Sequence, residues 1–371
     1  MKKTTPGNYA SSGVNYKILD SIKRLAQSEA KKTAINLQNH QEMQEVSASR
    51  GESAYVWEEK DALRAIVIEG LGTKNVVADA MSKITNKSYY DSIAQDTVAC
   101  IVNDLLVVGA DPQIMTAYWA VGSSDWFSNK MRAEDLIHGW KMACDMAGVT
   151  WGGGETPTLK GVVAEDTIDL GGSAVGIISP KEKLVLGDKL VAGDAILLVE
   201  SSGIHANGLS LARSVAEQLP DGYATPLLNG KSYGETILTP TFIYAKLVKS
   251  LQEKDLEIHY MVHITGHGWR KLMRAEKALS YIVEKIPQPQ EIFTFIQEKS
   301  HSSDEEMYGN FNMGAGFAIF VSQKDVKKVI AIGKKNNLTI LQAGLVVEGE
   351  KKVVIKPKNI TFTADMLQVR S

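Results

Sequence analysis

The chain has 371 residues, 44% of them hydrophobic and 23% charged, with a formal net charge of −2. That is room for two domains of ordinary globular composition, and it lacks the basic footprint that nucleic-acid binding leaves, so no nucleic-acid partner is expected. Two cysteines, Cys100 and Cys144, exclude a disulfide framework and a four-cysteine zinc site and fit a reducing cytoplasm. The start, MKKTTPGNYASSG, is charged with no apolar stretch behind it, and no run of about 18 apolar residues occurs, so neither a secretory leader nor a membrane span is expected.

In chain order, Ile18, Leu19, Ile22 and Leu25 have the spacing of an amphipathic helix starting near Tyr16. The polar stretch NLQNHQEMQEVSASRGES reads as a linker or a lid. A strand over 64–69 runs into Gly70-Leu71-Gly72-Thr73-Lys74, followed by a helix from about Val76 to Thr85. Residues 91–109 have apolar positions at helical spacing, interrupted by Asp96, Asn103 and Asp104. Asp96 and Asn103 are two turns apart and share a face, with Asp104 about 80° further round. Solvent exposure or a functional site would each account for acids there, since an unpaired buried acid is costly. Gly109 suits a helix stop, and Ile114–Val121 reads as a strand. A helix over 132–147, the Gly152-Gly153-Gly154-Glu155-Thr156-Pro157 segment and a strand over 166–178 complete the first half.

A polar connection over 179–193 leads to a strand at Ala195–Glu200, a small-residue loop at Ser201–Gly208 and a helix at Leu209–Leu219. Further expectations are a helix over 236–251 with Pro240 near its start, and a strand at Ile258–Ile264 followed by Thr265-Gly266-His267-Gly268 and a helix from Trp269. The rest reads as strand 278–284, helix 290–298, a strand ending at 321, helix 323–336 and strands at Leu341–Val347 and 352–356. Strands and helices alternate in both halves, which points to an α/β or α+β fold.

Loops rich in Gly, Ser and Thr at helix starts offer backbone N–H groups to phosphate. A carboxylate beside such a loop makes sense when Mg²⁺ stands between, which makes Glu69, Asp96, Asp104 and Glu155 candidate ligands. Lys74 would neutralise phosphate charge. Neither GxxxxGK[ST] nor GxGxxG occurs. His263 and His267 are four apart, but the intervening Thr-Gly breaks the helix a zinc pair needs, so no zinc site is expected. Cys100 and Cys144 read as core residues.

Six segments then occur in one order: CIVNDLLVVGADP, GGGET, VAGDAILLVESSGIHANGLSLAR, ILTPTFIYAK, HITGHG and MYGNFNMGAGFAIFV. Together they resemble the phosphoribosylformylglycinamidine cyclo-ligase (aminoimidazole ribonucleotide synthetase) family, over most of the chain from about Gly70. The resemblance implies an N-terminal ATP-binding and dimerisation domain (1–180), whose sheet forms a barrel across a homodimer, and a C-terminal α/β domain (181–371). It implies ATP and Mg²⁺ as cofactors and a small phosphorylated substrate in the cytoplasm. ATP would phosphorylate the formyl amide oxygen, and the amidine nitrogen would then close the imidazole ring. Lys74, His205 and Asp104 would be catalytic. Gly70, Gly72, Thr73, Lys74, Asn103, Gly153, Gly154, Thr156, Ser202, Asn207, Thr265 and Gly266 would bind the nucleotide. Glu69, Asp96, Asp104 and Glu155 would hold the metal.

The chain departs from the family pattern at the site motifs. The family's Thr-Asp-Gly-Val-Gly-Thr-Lys is Ile68-Glu69-Gly70-Leu71-Gly72-Thr73-Lys74 here, and Gly51 is the one glycine where the family has a glycine-rich nucleotide loop. In the segment after Glu155 a second glutamate is absent and Lys160 is gained. His267 stands in a three-glycine run, and the Glu-Asn pair that follows it is replaced in Trp269-Arg270-Lys271-Leu272-Met273-Arg274. The new cations Lys160, Arg270 and Lys271 suit an anionic substrate of different shape. Two alternatives therefore stand beside the cyclo-ligase: a divergent paralogue acting with ATP on another amide or acid, and a non-catalytic nucleotide-binding protein.

Overall fold

The computed structural model of the chain describes residues 16–254 and 256–367, so the first fifteen residues, read above for a leader, lie outside it. Helix α1 (Tyr16–Lys32) leads to strands β1 (Met43–Glu45), β2 (Tyr55–Glu59) and β3 (Ala62–Gly70). Helices α2 (Lys74–Thr85) and α3 (Tyr90–Leu106), strand β4 (Asp111–Val121), helix α4 (Lys130–Ala147) and strands β5 (Thr150–Glu155) and β6 (Ile168–Ile178) follow. Their sheet has the order β1-β2-β3-β6-β4-β5, antiparallel except for the β4/β5 pair.

The second half contributes β7 (Ala195–Glu200), α5 (Leu209–Gln218), α6 (Tyr233–Ile237), α7 (Ala245–Gln252), β8 (Ile258–His263), β9 (Leu279–Val283), α8 (Glu291–Ser300) and α9 (Asp304–Asn310). It closes with β10 (Ala315–Val321), α10 (Val326–Lys335), β11 (Ile340–Glu348), β12 (Lys352–Ile355) and β13 (Ile360–Thr363). Its sheet runs β13-β12-β9-β11-β7-β10-β8, with one parallel pair, β12/β9. Strands β8 and β10 are buried along their whole length; β10 is an apolar run, and in β8 the buried His259 and His263 meet Asp194 and Asp104.

The first sheet is covered on one face. Leu63, Ala65 and Val67 of β3 face the core with α3 and α4, while Ile66 and Ile68 are exposed, the period-two alternation of a one-sided sheet. Ile114 and Tyr118 of β4 are also exposed. Helix α7 packs on α3, α4 and β4 and joins the two halves.

Three expectations change. Helix α1 forms, but Ile18, Ile22 and Leu25 face outward and Asp20 inward, because Asp20 meets His267 of the second half. The 38–60 stretch is built structure. Ser49 is buried and caps Val56, and Glu52 accepts the Tyr260 hydroxyl, so the segment is tied down by side chains distant in sequence. The helix expected over 236–251 is two short helices separated by an irregular stretch, 238–244. Pro240 withholds one N–H, and the neighbouring backbone groups bond to side chains of α2 and α3.

Candidate functional site

The acids of α3 have different partners. Asp96 is fully buried; it pairs with the Lys74 ammonium at 2.7 Å and accepts the Thr241 N–H (2.8 Å) and hydroxyl. Lys74, equally buried, also donates to the Thr239 carbonyl at 2.9 Å. Burial pushes Asp96 above the usual carboxylate range, against the pull of Lys74. This pair stitches α2 and α3 to the 238–244 stretch. Lys74, expected on phosphate, and Asp96, expected on metal, are therefore corrected to internal partners, because leaving either alone in the interior is costly.

Asn103 is corrected in the same way. Its carboxamide donates to the Phe242 carbonyl at 2.8 Å and accepts the Tyr244 N–H at 3.0 Å, so it is not open to a nucleotide. Ser202 donates to the Pro240 carbonyl at 2.6 Å, while its own N–H donates to His205 Nε2. His205 is buried, and burial first, then His263 and Lys74, hold it neutral.

Next to Asn103 on α3, Asp104 faces the second half. His263 Nδ1, at the end of β8, lies 2.6 Å from Asp104 Oδ1. Glu69, at the end of β3, lies near enough to Asp104 for the two carboxyl charges to act on each other. Burial and then the Asp104 charge push Glu69 up to about 7. Burial also acts to raise Asp104, but Lys271 and the His263 hydrogen bond outweigh it and hold Asp104 at about 2. Burial and the neighbouring Asp104 charge both favour the protonated form of Glu69. His263 is pushed below its ordinary value by burial, against the pull of Asp104. With Nδ1–H toward Asp104, its Nε2 is an acceptor, and that atom is buried with no hydrogen-bond partner among the described residues.

The loop after β8 supplies the cations. His267 has φ 67°, the left-handed region, and its Nε2 lies 3.3 Å from Asp20 Oδ2. Buried Lys271 donates to the Thr265 hydroxyl, and its charge faces Asp104 and Glu69. Arg274 donates to Gly51 O (2.9 Å) and Ser53 Oγ (2.8 Å). Arg270 donates to Gly309 O and lies over the Phe362 ring, so of the three new cations only Lys160 is exposed.

On the open face of the first sheet, a cleft of about 700 Å³ is lined by Glu69, Gly70, Thr116, Tyr118, Gly154, Glu155, Asp169 and Gly171 to Ser173. Gly154 belongs to edge strand β5 rather than a loop; a Cβ there would meet Ala117 O at 2.1 Å, so the β4/β5 pairing demands glycine. Gly72 and Thr73 are exposed at the N-terminus of α2. Thr156 is exposed just past β5, and Gly266 and Asn207 lie half-buried in their loops. Asp169 was missed by sequence reasoning; its signal was a lone acid between buried Ile168 and Leu170 of β6.

The expected metal ligands divide between the core and the cleft. Among the described residues no three His, Cys, Asp or Glu side chains converge as a cation site. Asp96 is taken by Lys74 and Asp104 by His263, and Glu69 lines the cleft. Glu155 and Asp169 on the cleft suit a Mg²⁺ that arrives on a triphosphate and needs only one or two carboxylates.

Residues 51–178 match the AIR synthase related protein N-terminal domain, and residues 191–356 match the C-terminal domain of the same family. The chain belongs to the AIR synthase family. It is 36% identical over 282 residues to the phosphoribosylformylglycinamidine cyclo-ligase of Methanocaldococcus jannaschii, covering 76% of this chain and 77% of that one. The cyclo-ligase of Carboxydothermus hydrogenoformans is 37% identical over 294 residues, covering 77% and 81%. In fold, the chain is similar to T. maritima PurL, solved in complex with ATP, with a TM-score of 0.53 at 14% identity over 84% of this chain and 45% of that one.

Proposed function

We infer that the chain is an ATP-dependent cyclo-ligase of purine biosynthesis, converting formylglycinamidine ribonucleotide to aminoimidazole ribonucleotide. The observation that carries this is the match, at 36–37% identity over three quarters of the chain, to enzymes named for that reaction. ATP phosphorylates the formyl amide oxygen; the amidine nitrogen then attacks that carbon, phosphate leaves, and the nitrogen loses a proton as the ring closes.

The nucleotide occupies the open-face cleft, with its phosphates toward Gly70, Gly72 and Thr73 at the N-terminus of α2, where unpaired N–H groups favour anions. Glu155 and Asp169 would hold Mg²⁺ there, which supplies charge neutralisation for the transferring phosphoryl group. The reacting amide lies toward the Glu69–Asp104–His263 group. His263 Nε2, a buried acceptor without a hydrogen-bond partner among the described residues, would accept the proton lost on ring closure, and Asp104 would stabilise the imidazolium that results. A homodimer closes over the exposed face of the first sheet at Ile66 and Ile114, beside the cleft that Ile68 and Tyr118 line, and removes apolar surface from water. Among the described residues no helix is long and apolar enough to cross a membrane, and we place the enzyme in the cytoplasm with its soluble substrate.

Incubation with Mg-ATP and formylglycinamidine ribonucleotide should yield ADP and aminoimidazole ribonucleotide in equal amounts. ADP without the ring product would move the assignment to another acceptor, the reading that exposed Lys160 favours; neither product would remove the catalytic reading.

A further inference from the structure

Helix α1 turns its polar side to the protein and its apolar side to water. Asp20, Arg24 and Gln27 share the inward face at helical spacing, while Leu19, Ile22 and Leu25 lie outward. Ile22 and Leu25 are each 61% exposed, and Asp20 is the one buried residue among the described residues of the helix. The 3₁₀ helix that follows, Thr33–Asn39, adds Ile35 at 60% exposure. Helices in proteins draw most of their stability from packing an apolar face, and a single copy of this chain leaves that face of α1 open.

Polar groups tie α1 to its own chain. His267 Nε2 lies 3.3 Å from Asp20 Oδ2, and Arg50 donates to the Ala30 carbonyl at 3.5 Å. His267 belongs to the turn after β8, four residues past His263, the residue that bonds Asp104 at 2.6 Å. Within that turn the Gly268 N–H donates to the Thr265 carbonyl at 2.9 Å, and the Arg270 N–H donates to the His267 carbonyl at 3.2 Å. A Cβ on Gly268 would meet Tyr308 O at 2.3 Å, so the turn is packed closely on the second half while its His267 side chain reaches α1.

A stable interface takes about 800 Å² from each partner, and an exposed apolar patch on a monomer is on the order of 300–600 Å². The open face of the first sheet is one such patch, and its Ile68 and Tyr118 also line the cleft, so by itself it falls short of an interface. The outward face of α1 is a second patch, on the segment that runs into β1, the edge strand of the same sheet. In a two-fold pair each copy contributes both patches, which brings the contact to the size a stable dimer needs.

We propose that a second copy of this chain covers α1 at Leu19, Ile22, Leu25 and Ile35, and that this contact seats Asp20 on His267 and so fixes the turn beside His263. The partner thereby acts on the site through a helix of the first chain. The inference deepens the homodimer reading and rests on it, and it is independent of the substrate the site takes.

Sedimentation velocity and amide hydrogen exchange of the full chain test it without nucleotide or turnover. Ile22→Ser combined with Leu25→Ser should keep a cooperative thermal melt and raise the dimer dissociation constant roughly tenfold or more. The Gly268 and Arg270 amides should then exchange faster, as they should in Ile68→Asp and in wild type diluted below its own dissociation constant. Asp20→Ala should speed the same two amides in a protein that still sediments as a dimer. A serine double variant that dimerises as tightly as wild type, where Ile68→Asp gives a monomer, would overturn the proposal and leave the homodimer standing. A weakened dimer whose Gly268 and Arg270 amides keep their protection would overturn the link to the turn. A wild type that sediments as a monomer at every concentration would overturn the homodimer and this inference with it.

Discussion

Lys74 and Asp96 are each fully buried, and each is the other's charge partner. Removing one partner leaves an uncompensated charge in the interior, which costs about 3–5 kcal/mol. Lys74→Met should therefore lower the free energy of unfolding by roughly that amount in urea denaturation. Adding Asp96→Asn, which keeps an acceptor for Thr241, should recover most of it. A Lys74→Met protein as stable as wild type would show that the pair is not the internal anchor described here. His267 gives a second prediction at this scale. Burial holds it at about 4, with Asp20 opposing, whereas an unfolded histidine titrates near 6.5. The unfolded chain therefore binds an extra proton between these values, so stability is full above pH 6.5 and falls as pH drops toward 4. Glu69, raised to about 7, acts in the opposite direction over part of this window, so comparison with a variant isolates the histidine. His267→Asn, which tolerates the left-handed φ, should flatten the acid limb by up to about 1.4 kcal/mol per pH unit, measured as unfolding free energy across pH 4–7. An unchanged slope would assign the acid sensitivity to other groups.

The irregular stretch 238–244 between α6 and α7 decides how the two halves meet. Asn103 closes a ring of hydrogen bonds with the backbone of Phe242 and Tyr244, as a neighbouring strand would. Asn103→Ala leaves a buried N–H and C=O unmet and should cost about 2 kcal/mol or more. The Tyr244 amide should exchange with deuterium faster in that variant, while amides of β10 should keep their wild-type order of protection. Equal protection at Tyr244 would mean that the stretch is held without Asn103. This stretch also shows where sequence reading stopped. The apolar period of 236–251 belongs to a helix, and Pro240 near its start was visible; that α2 holds Thr239 and α3 holds Thr241, Phe242 and Tyr244 was not, because those bonds span more than 130 positions. The same holds for Asp96, Asn103 and Asp104. Their shared helix and neighbouring faces were legible from a 3.6-residue period, but which acid meets Lys74 and which meets His263 depends on residues far along the chain. Strands that are apolar runs, such as β3, β4, β7 and β10, were local signals, whereas the glycine-rich β5 read as a loop because only its pairing with β4 makes it a strand. The 38–60 segment was not, since Ser49, Glu52 and Arg274 hold it through contacts that no periodicity encodes.

At the scale of the whole molecule, the first sheet leaves a row of large apolar side chains in water. Ile68 is 77% exposed and Ile114 52% exposed, on strands whose opposite faces are packed core. Apolar burial contributes about 25 cal/mol per Å², so covering this face with a second copy yields a driving force that a lone chain forgoes. The cleft lies on the same face, with Glu69, Glu155 and Asp169 at its wall, so a partner covering the sheet would also shield bound nucleotide from water. Ile68→Asp places a charge at the centre of that contact without touching the α3 side of the core. In sedimentation velocity it should convert a dimer to a monomer while the thermal melt of the monomer stays cooperative. Nucleotide affinity should fall with it, measured by calorimetric titration of a non-hydrolysable ATP analogue, because Ile68 also lines the cleft and a carboxylate there repels phosphate. A variant that remains dimeric would place the contact elsewhere on the chain. A monomeric variant that binds the analogue as wild type does would separate nucleotide binding from assembly.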